Sequence, residues 1–327
     1  MTENGTQCLF LTISDVSGYP SVKFTAIATT VIGSISSIGS ILGNALVLFV
    51  LFKHERLRTP SNVLLGSLCL TDFLTGFIVV PTISVRRITE AYGSGICIIR
   101  IVCAYFSYLT VIVSVVTIGL ISIDRYYAIM MPFSYERNVT ARKYFAFLTL
   151  VWLILAVHSS LPFLQILSGT TFFKIAFSLM GVTIIMFAAL YTRISKVVKR
   201  HRSKIYPRPS SYRASELQQQ DGTAATLGGE SGNHRNSERK RTNTIAIILA
   251  TSVICYGPLA MIFVLRGIQG DTFELIYIAD PWADLILYLN SSINPVIYCF
   301  RARDINEAVL GALPNKARRL FNRTISI

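Results

Sequence analysis

Charge is scarce in this chain. Only 15% of its 327 residues are Asp, Glu, Lys or Arg, against roughly a quarter in soluble globular domains. Water is a poor solvent for such a composition. Catalytic signatures are missing too: no HExxH, GxSxG or P-loop pattern occurs, and His54, His158, His201 and His234 are dispersed. That argues against the common hydrolase chemistries, and the chain is not expected to be an enzyme. No basic segment leads into a short apolar core and a small-residue cleavage site before the first long apolar stretch, so no removable signal peptide is expected.

What the chain does have is apolar residues, 52% of the total, arranged in long blocks. Seven blocks lie at about 24–52, 63–85, 96–129, 144–164, 172–197, 242–265 and 275–300. Each can supply the roughly 20 helical residues that cross about 30 Å of hydrocarbon. The expected fold is therefore an all-α bundle of seven transmembrane helices occupying residues 24–300. Residues 1–23 form an outer tail and 301–327 an inner helix and tail. Within the last segment, Ile305, Ala308, Val309 and Leu313 recur among charges over 301–313, the spacing of a short amphipathic helix lying on the inner surface.

The formal charge of +14 invites a nucleic-acid reading, but its distribution points elsewhere. Of the 31 Lys and Arg, 25 fall on one side: 3 in the first inner loop, 4 around the second, 12 in the third and 6 in the tail. The other side holds Lys23, Arg86, Arg87, Arg100, Lys174 and Arg266. Positive flanks stay in the cytoplasm. The amino terminus is thus expected outside, in the plasma membrane, with no nucleic-acid partner. Asn4 in Asn4-Gly5-Thr6 becomes a glycosylation candidate, while the sequons at Asn138 and Asn322 face inward. Residues 205–236, rich in Ser, Gln, Gly, Arg and Pro, are too poor in apolar groups to pack and read as a disordered third inner loop. Ser210 and Ser215 there are either kinase sites or unmodified linker residues.

Polar groups at bilayer depth cost on the order of 2.5–3.5 kcal/mol, so each calls for a role. The spans carry Asn44, Asp72, Ser107, Ser114, Tyr256, Asp284, Asn290, Ser291, Ser292 and Asn294. At about 100° per residue, Ser107, Ser114 and Arg125 share one face of the third span. Asn290, Asn294 and Tyr298 form a second stripe on the seventh.

These residues, together with several apolar landmarks, resemble the rhodopsin-like G-protein-coupled receptor family over nearly the whole chain. The matching pieces are Gly43-Asn44, Leu68 with Asp72, Asp124-Arg125-Tyr126 followed by Ile129 and Pro132, Trp152, Tyr191, Cys255-Tyr256-Gly257-Pro258, and Asn294-Pro295-Val296-Ile297-Tyr298. Each stands in order and in the right span. The resemblance implies a receptor for an extracellular ligand that activates a heterotrimeric G protein, with receptor kinases and arrestin as further partners. It implies a switch in which Arg125, beside Asp124 and Tyr126, pairs with Glu238 when closed and is freed when helix six swings out. Tyr256 and Pro258, with Asn294 and Pro295, would be the hinges, and Tyr191 and Tyr298 would move together. Asp72, Ser114, Asn290 and Asn294 would hold an allosteric sodium ion, which suits a hard cation's preference for oxygen. No other cofactor is implied.

Departures from the family bear on the ligand. Arg100 stands where the family places a helix-three cysteine, flanked by Cys97 and Cys103, and the short second outer loop has none. Cys8 either pairs with Cys97 or both stay free thiols. Thr183 stands near the usual fifth-helix proline, and Tyr256 replaces the customary tryptophan. These absences resemble the cluster of melanocortin, lysophospholipid and cannabinoid receptors. The seventh span has no lysine for a retinal Schiff base, and Ser107 occupies the place of the monoamine-binding aspartate. Asp284 is either an amine counter-ion or the partner of Arg86, Arg87 or Arg100. A pocket lined by Arg100, Cys103, Ser107, Tyr108, Val111, Tyr256, Leu259, Phe263, Asp284 and Tyr288 would suit a small amphipathic ligand. The alternative is a seven-helix transporter or channel, but neither internal repeats nor broken mid-membrane helices are evident.

Overall fold

The computed structural model describes residues 6–8, 11–13, 16–166, scattered positions between 171 and 193, 247–248, 250–270, 272–301 and 303–312. Asn4, Thr183, Tyr191, Glu238 and the segment 205–236 lie outside the described residues.

Five described helices are long and apolar enough to cross a membrane. They are α1 (Pro20–Lys53), α2 (Pro60–Ala91), α3 (Cys97–Ala128, continuing to Met130), α5 (Ala141–Ser160) and α6 (Ala250–Gln269). The short helix α4 (Pro132–Asn138) joins α3 to α5. Then come α7 (Asp280–Arg301), the seventh block, and α8 (Arg303–Ala312). The first helix begins at Pro20 rather than at residue 24, which shortens the expected outer tail. The local reason is Pro20 itself, whose missing N–H costs nothing in a first turn and whose fixed φ is already helical. Thr59 and Thr140 cap α2 and α5 by accepting from the N–H groups of Asn62 and Lys143.

Two wide turns re-aim the outer ends of α2 and α7. At Thr75–Val79 the Val80 N–H reaches back to the Thr75 carbonyl, and at Leu275–Ala279 the Asp280 N–H reaches back to Leu275. Each turn directly precedes a proline pair position, Val80-Pro81 and Asp280-Pro281, where the proline ring would clash with the carbonyl four residues back. A turn with one extra residue relieves that clash and rotates everything beyond it by about 100°.

Large apolar side chains cover the outside, with Ile35, Leu42 and Phe49 seven residues apart and exposed along α1. In water that surface would be untenable, whereas in lipid it is the expected solvent face. Inside, Val47, Leu64, Leu68, Ile118, Leu148 and Ile297 form one core toward the end bearing Asp124, here the inner end. Ile305, Ala308 and Val309 of α8 are buried in that same core, so the amphipathic helix packs its apolar stripe against the bundle. A second core nearer the outer end joins Val79, Ile83, Cys103, Tyr256, Leu287 and Tyr288. The outer tail also holds a structure the sequence did not reveal: Thr6–Cys8 and Leu11–Ile13 pair as an antiparallel hairpin. Cys8 is bonded to Cys97 at the start of α3, with Cα atoms 5.5 Å apart, which settles the open pairing.

Candidate functional site

At the inner end, α3 buries Asp124 and Arg125 side by side at 1% and 6% exposure. The Arg125 guanidinium donates to Asp124 Oδ2 from Nη2 at 2.6 Å and from Nε at 3.0 Å. Asp124 also accepts from the hydroxyls of Ser61 at 2.9 Å, Tyr135 at 2.8 Å and Tyr144 at 3.0 Å. Ser61 comes from α2, Tyr135 from α4 and Tyr144 from α5, so one carboxylate ties four helices together. The three hydroxyls carry no sequence signal, because their partner lies 11 to 63 residues away in the chain. Burial and the adjacent carboxylate push the Tyr135 hydroxyl, which lies outside the spans, above the usual tyrosine pKa. Arg125 is therefore withdrawn onto Asp124. Tyr126, the third member of the motif, is half-buried.

At mid-depth the sodium-site residues converge in part. Asn294 donates to Asp72 Oδ2 at 2.8 Å, and both are buried. Ser114 turns its hydroxyl instead to Thr71 Oγ1 at 2.8 Å. Asn290 Oδ1 and Asn294 Oδ1 are buried without a partner among the described residues, so oxygen ligands stand beside a buried carboxylate and the donor set fits a hard cation. Ser40, which sequence reasoning overlooked, donates to the Asp72 carbonyl at 2.8 Å, and Asn44 donates to the Ser291 carbonyl at 3.0 Å. These bonds stitch α1 to α2 and α7. Tyr298 is 1% exposed with its hydroxyl unpaired among the described residues, while Pro258 and Pro295 each lie within a helix and remove a backbone N–H from it.

Toward the outer end, five of the ten expected pocket residues meet in one cluster. Cys103, Tyr256 and Tyr288 share the second core, with Val111 and Leu259 packed against it. Phe263 lies under the Arg266 guanidinium at 5.8 Å, and Tyr108 lies within electrostatic reach of Arg86 and Asp284. The charged members are otherwise engaged. Asp284 Oδ2 accepts from Arg87 at 2.8 Å, and Arg100 binds Glu90 at 2.7 Å, so neither presents a free charge to a ligand in this arrangement. The wide turn at Thr75–Val79 explains why Arg87 and Glu90 reach inward. Glu90 and Asp280 are functional candidates that the sequence reading passed over.

Residues 43–298 match the family described as "7 transmembrane receptor (rhodopsin family)". Trace amine-associated receptor 4 of Rattus norvegicus is 28% identical over 85% of this chain and 82% of its own length. The histamine H2 receptor of Homo sapiens is 26% identical over 85% and 77%, and the octopamine receptor beta-1R of Drosophila melanogaster 26% over 90% and 63%. The crystal structure of squid rhodopsin superimposes with a TM-score of 0.72 at 18% identity, covering 90% of this chain and 86% of that one, and shares the seven-helix fold. Family, fold and relatives agree against a transporter or channel: the chain belongs to the rhodopsin family of seven-transmembrane receptors and is a G-protein-coupled receptor.

Proposed function

We propose that this receptor sits in the plasma membrane with its amino terminus outside, takes a small amphipathic ligand in the outer half of the bundle, and activates a heterotrimeric G protein when α6 swings outward at its inner end. The observation that carries the reading is Arg125, buried at the inner mouth and folded onto Asp124. A guanidinium is always charged and seeks carboxylates. Arg125 exchanges Asp124 and Glu238 for contacts with the G protein on opening, and Pro258 lets α6 bend. Sodium at Asp72 favours the closed state, Tyr298 meets Tyr191 on opening, and receptor kinases and arrestin act on the inner surface.

The test is G-protein activation by the full chain in cells. Arg125→Ala is expected to abolish the basal signal and Glu238→Ala to raise it. Unchanged basal signalling in both variants, or ion flux with no G-protein response, would refute the mechanism.

A second reading, an amine ligand, is favoured by the names of the three relatives above. Asp284 is its natural counter-ion, yet Arg87 holds that carboxylate. Activation by a trace amine, histamine or octopamine, lost in Asp284→Asn, would establish it.

A further inference from the structure

Four arginines cluster with three carboxylates in the outer half of the bundle. Among the described residues there, Arg86, Arg87, Arg100 and Arg266 face Glu90, Asp280 and Asp284. Arg87 takes Asp284 at 2.8 Å, and Arg266 approaches Asp280 at 3.5 Å. Glu90 gives its Oε1 to Arg100, whose Nη2 stands at 2.7 Å and Nε at 2.9 Å. Arg86 is left with Glu90 Oε2 at 3.9 Å, beyond hydrogen-bond length, and its Nε is buried with no partner.

Among the described residues no carboxylate other than Glu90 stands within 4 Å of Arg86. No Asp or Glu occurs between Glu136 and Glu216, so the fourth and fifth spans and the outer loop joining them contain no carboxylate. The third span offers Ser107 where an acid would be needed. Arg86 lies partly inside the bundle, its side chain 26% exposed and within electrostatic reach of Cys103 and Tyr108 as well as of Glu90, Asp280 and Asp284. A buried N–H without an acceptor is costly, and a guanidinium held only by one long ion pair keeps a planar fork that fits a carboxylate.

We infer that this site takes a small ligand with one anionic group, a carboxylate or similar oxyanion, bound by Arg86, and an apolar body lying against Cys103, Tyr256 and Tyr288. The inference rests on the receptor reading above and names the charge of its ligand. An amine would meet the arginine cluster and find Glu90, Asp280 and Asp284 each already engaged by an arginine.

The test uses the full chain in cells carrying a G-protein biosensor, with untransfected cells as the blank. Two matched series serve as probes: decanoate, decanamide and decylamine; and 3-phenylpropionate, 3-phenylpropionamide and 3-phenylpropylamine. At least one acid is expected to change the signal at concentrations roughly 10-fold or more below its amide, with the amine inactive. Arg86→Gln is expected to weaken that acid roughly 10- to 100-fold and Arg86→Lys to retain part of the response. The acid–amide comparison needs no variant, so it decides the matter even if Arg86→Gln fails to reach the cell surface. An active amine, an amide equal to its acid, an Arg86→Gln receptor with full acid potency, or silence from both acids would overturn the inference. A basal signal lost in Arg125→Ala keeps the receptor reading standing in any of those events.

Discussion

Gly43 offers a steric test of how α1 and α7 pack around the helix-seven hinge. A Cβ added there would lie 2.8 Å from Pro295 Cβ and 2.9 Å from Pro295 Cγ. Carbon atoms in good contact stand about 3.5–4.0 Å apart, so the two helices would have to part by roughly 1 Å. The neighbour cannot swing away, because it is a proline ring buried within α7. Overpacking of this kind costs about 1–3 kcal/mol, against a gain of up to about 1 kcal/mol from replacing glycine by alanine in a helix. Gly43→Ala is therefore expected to destabilise the receptor by about 1–2 kcal/mol. Gly39→Ala, one turn earlier on the same helix, is the control, since its Cβ would meet only Ser292 Cβ at 3.9 Å. It should be neutral or slightly stabilising. Thermal denaturation of the purified, detergent-solubilised proteins compares the two. The reasoning fails if Gly43→Ala melts at or above Gly39→Ala.

Three other outcomes follow from the geometry. The Tyr135 and Tyr144 hydroxyls hold Asp124 against Arg125, so Tyr135→Phe and Tyr144→Phe should each weaken the closed state by about 1 kcal/mol and raise basal G-protein signalling up to about 5-fold; unaltered basal activity in the double variant would contradict this. Asp284→Ala leaves Arg87 buried and uncompensated and should cost about 3–5 kcal/mol, whereas Arg87→Met with Asp284→Leu should recover most of it; a double variant no more stable than the single one counts against a paired site. Sodium at ten times its dissociation constant should stabilise the parent receptor by about 1.4 kcal/mol and Asp72→Asn not at all, measured by thermal shift against choline as the replacement cation.

Legibility along the chain followed locality. The spans could be read because hydrophobic blocks are properties of consecutive residues, and α1, α2, α3 and α5 begin within about four residues of their expected starts. The inner motifs could be read because Asp124, Arg125, Pro258, Asn294 and Pro295 keep a fixed depth in their spans. The outer hairpin was missed because its strands are three residues each, too short for a periodic signal. Asp284 remained ambiguous among three arginines until its place in space was known.

The sequence by itself determined the membrane class, the number of crossings and the family, since hydropathy and ordered motifs are written along one dimension. Only the tertiary structure decided which charge meets which. Arg87 finds Asp284 across 197 residues, Asn294 finds Asp72 across 222, and Cys8 finds Cys97 across 89. Each pairing depends on how far a helix is rotated about its axis, and the wide turns before Pro81 and Pro281 set that rotation for α2 and α7. A shift of one residue there would carry Arg86, Arg87 and Glu90 to another face of the helix. The loose pairing of Arg86 with Glu90 is thus a consequence of packing that no spacing of residues along the chain could announce.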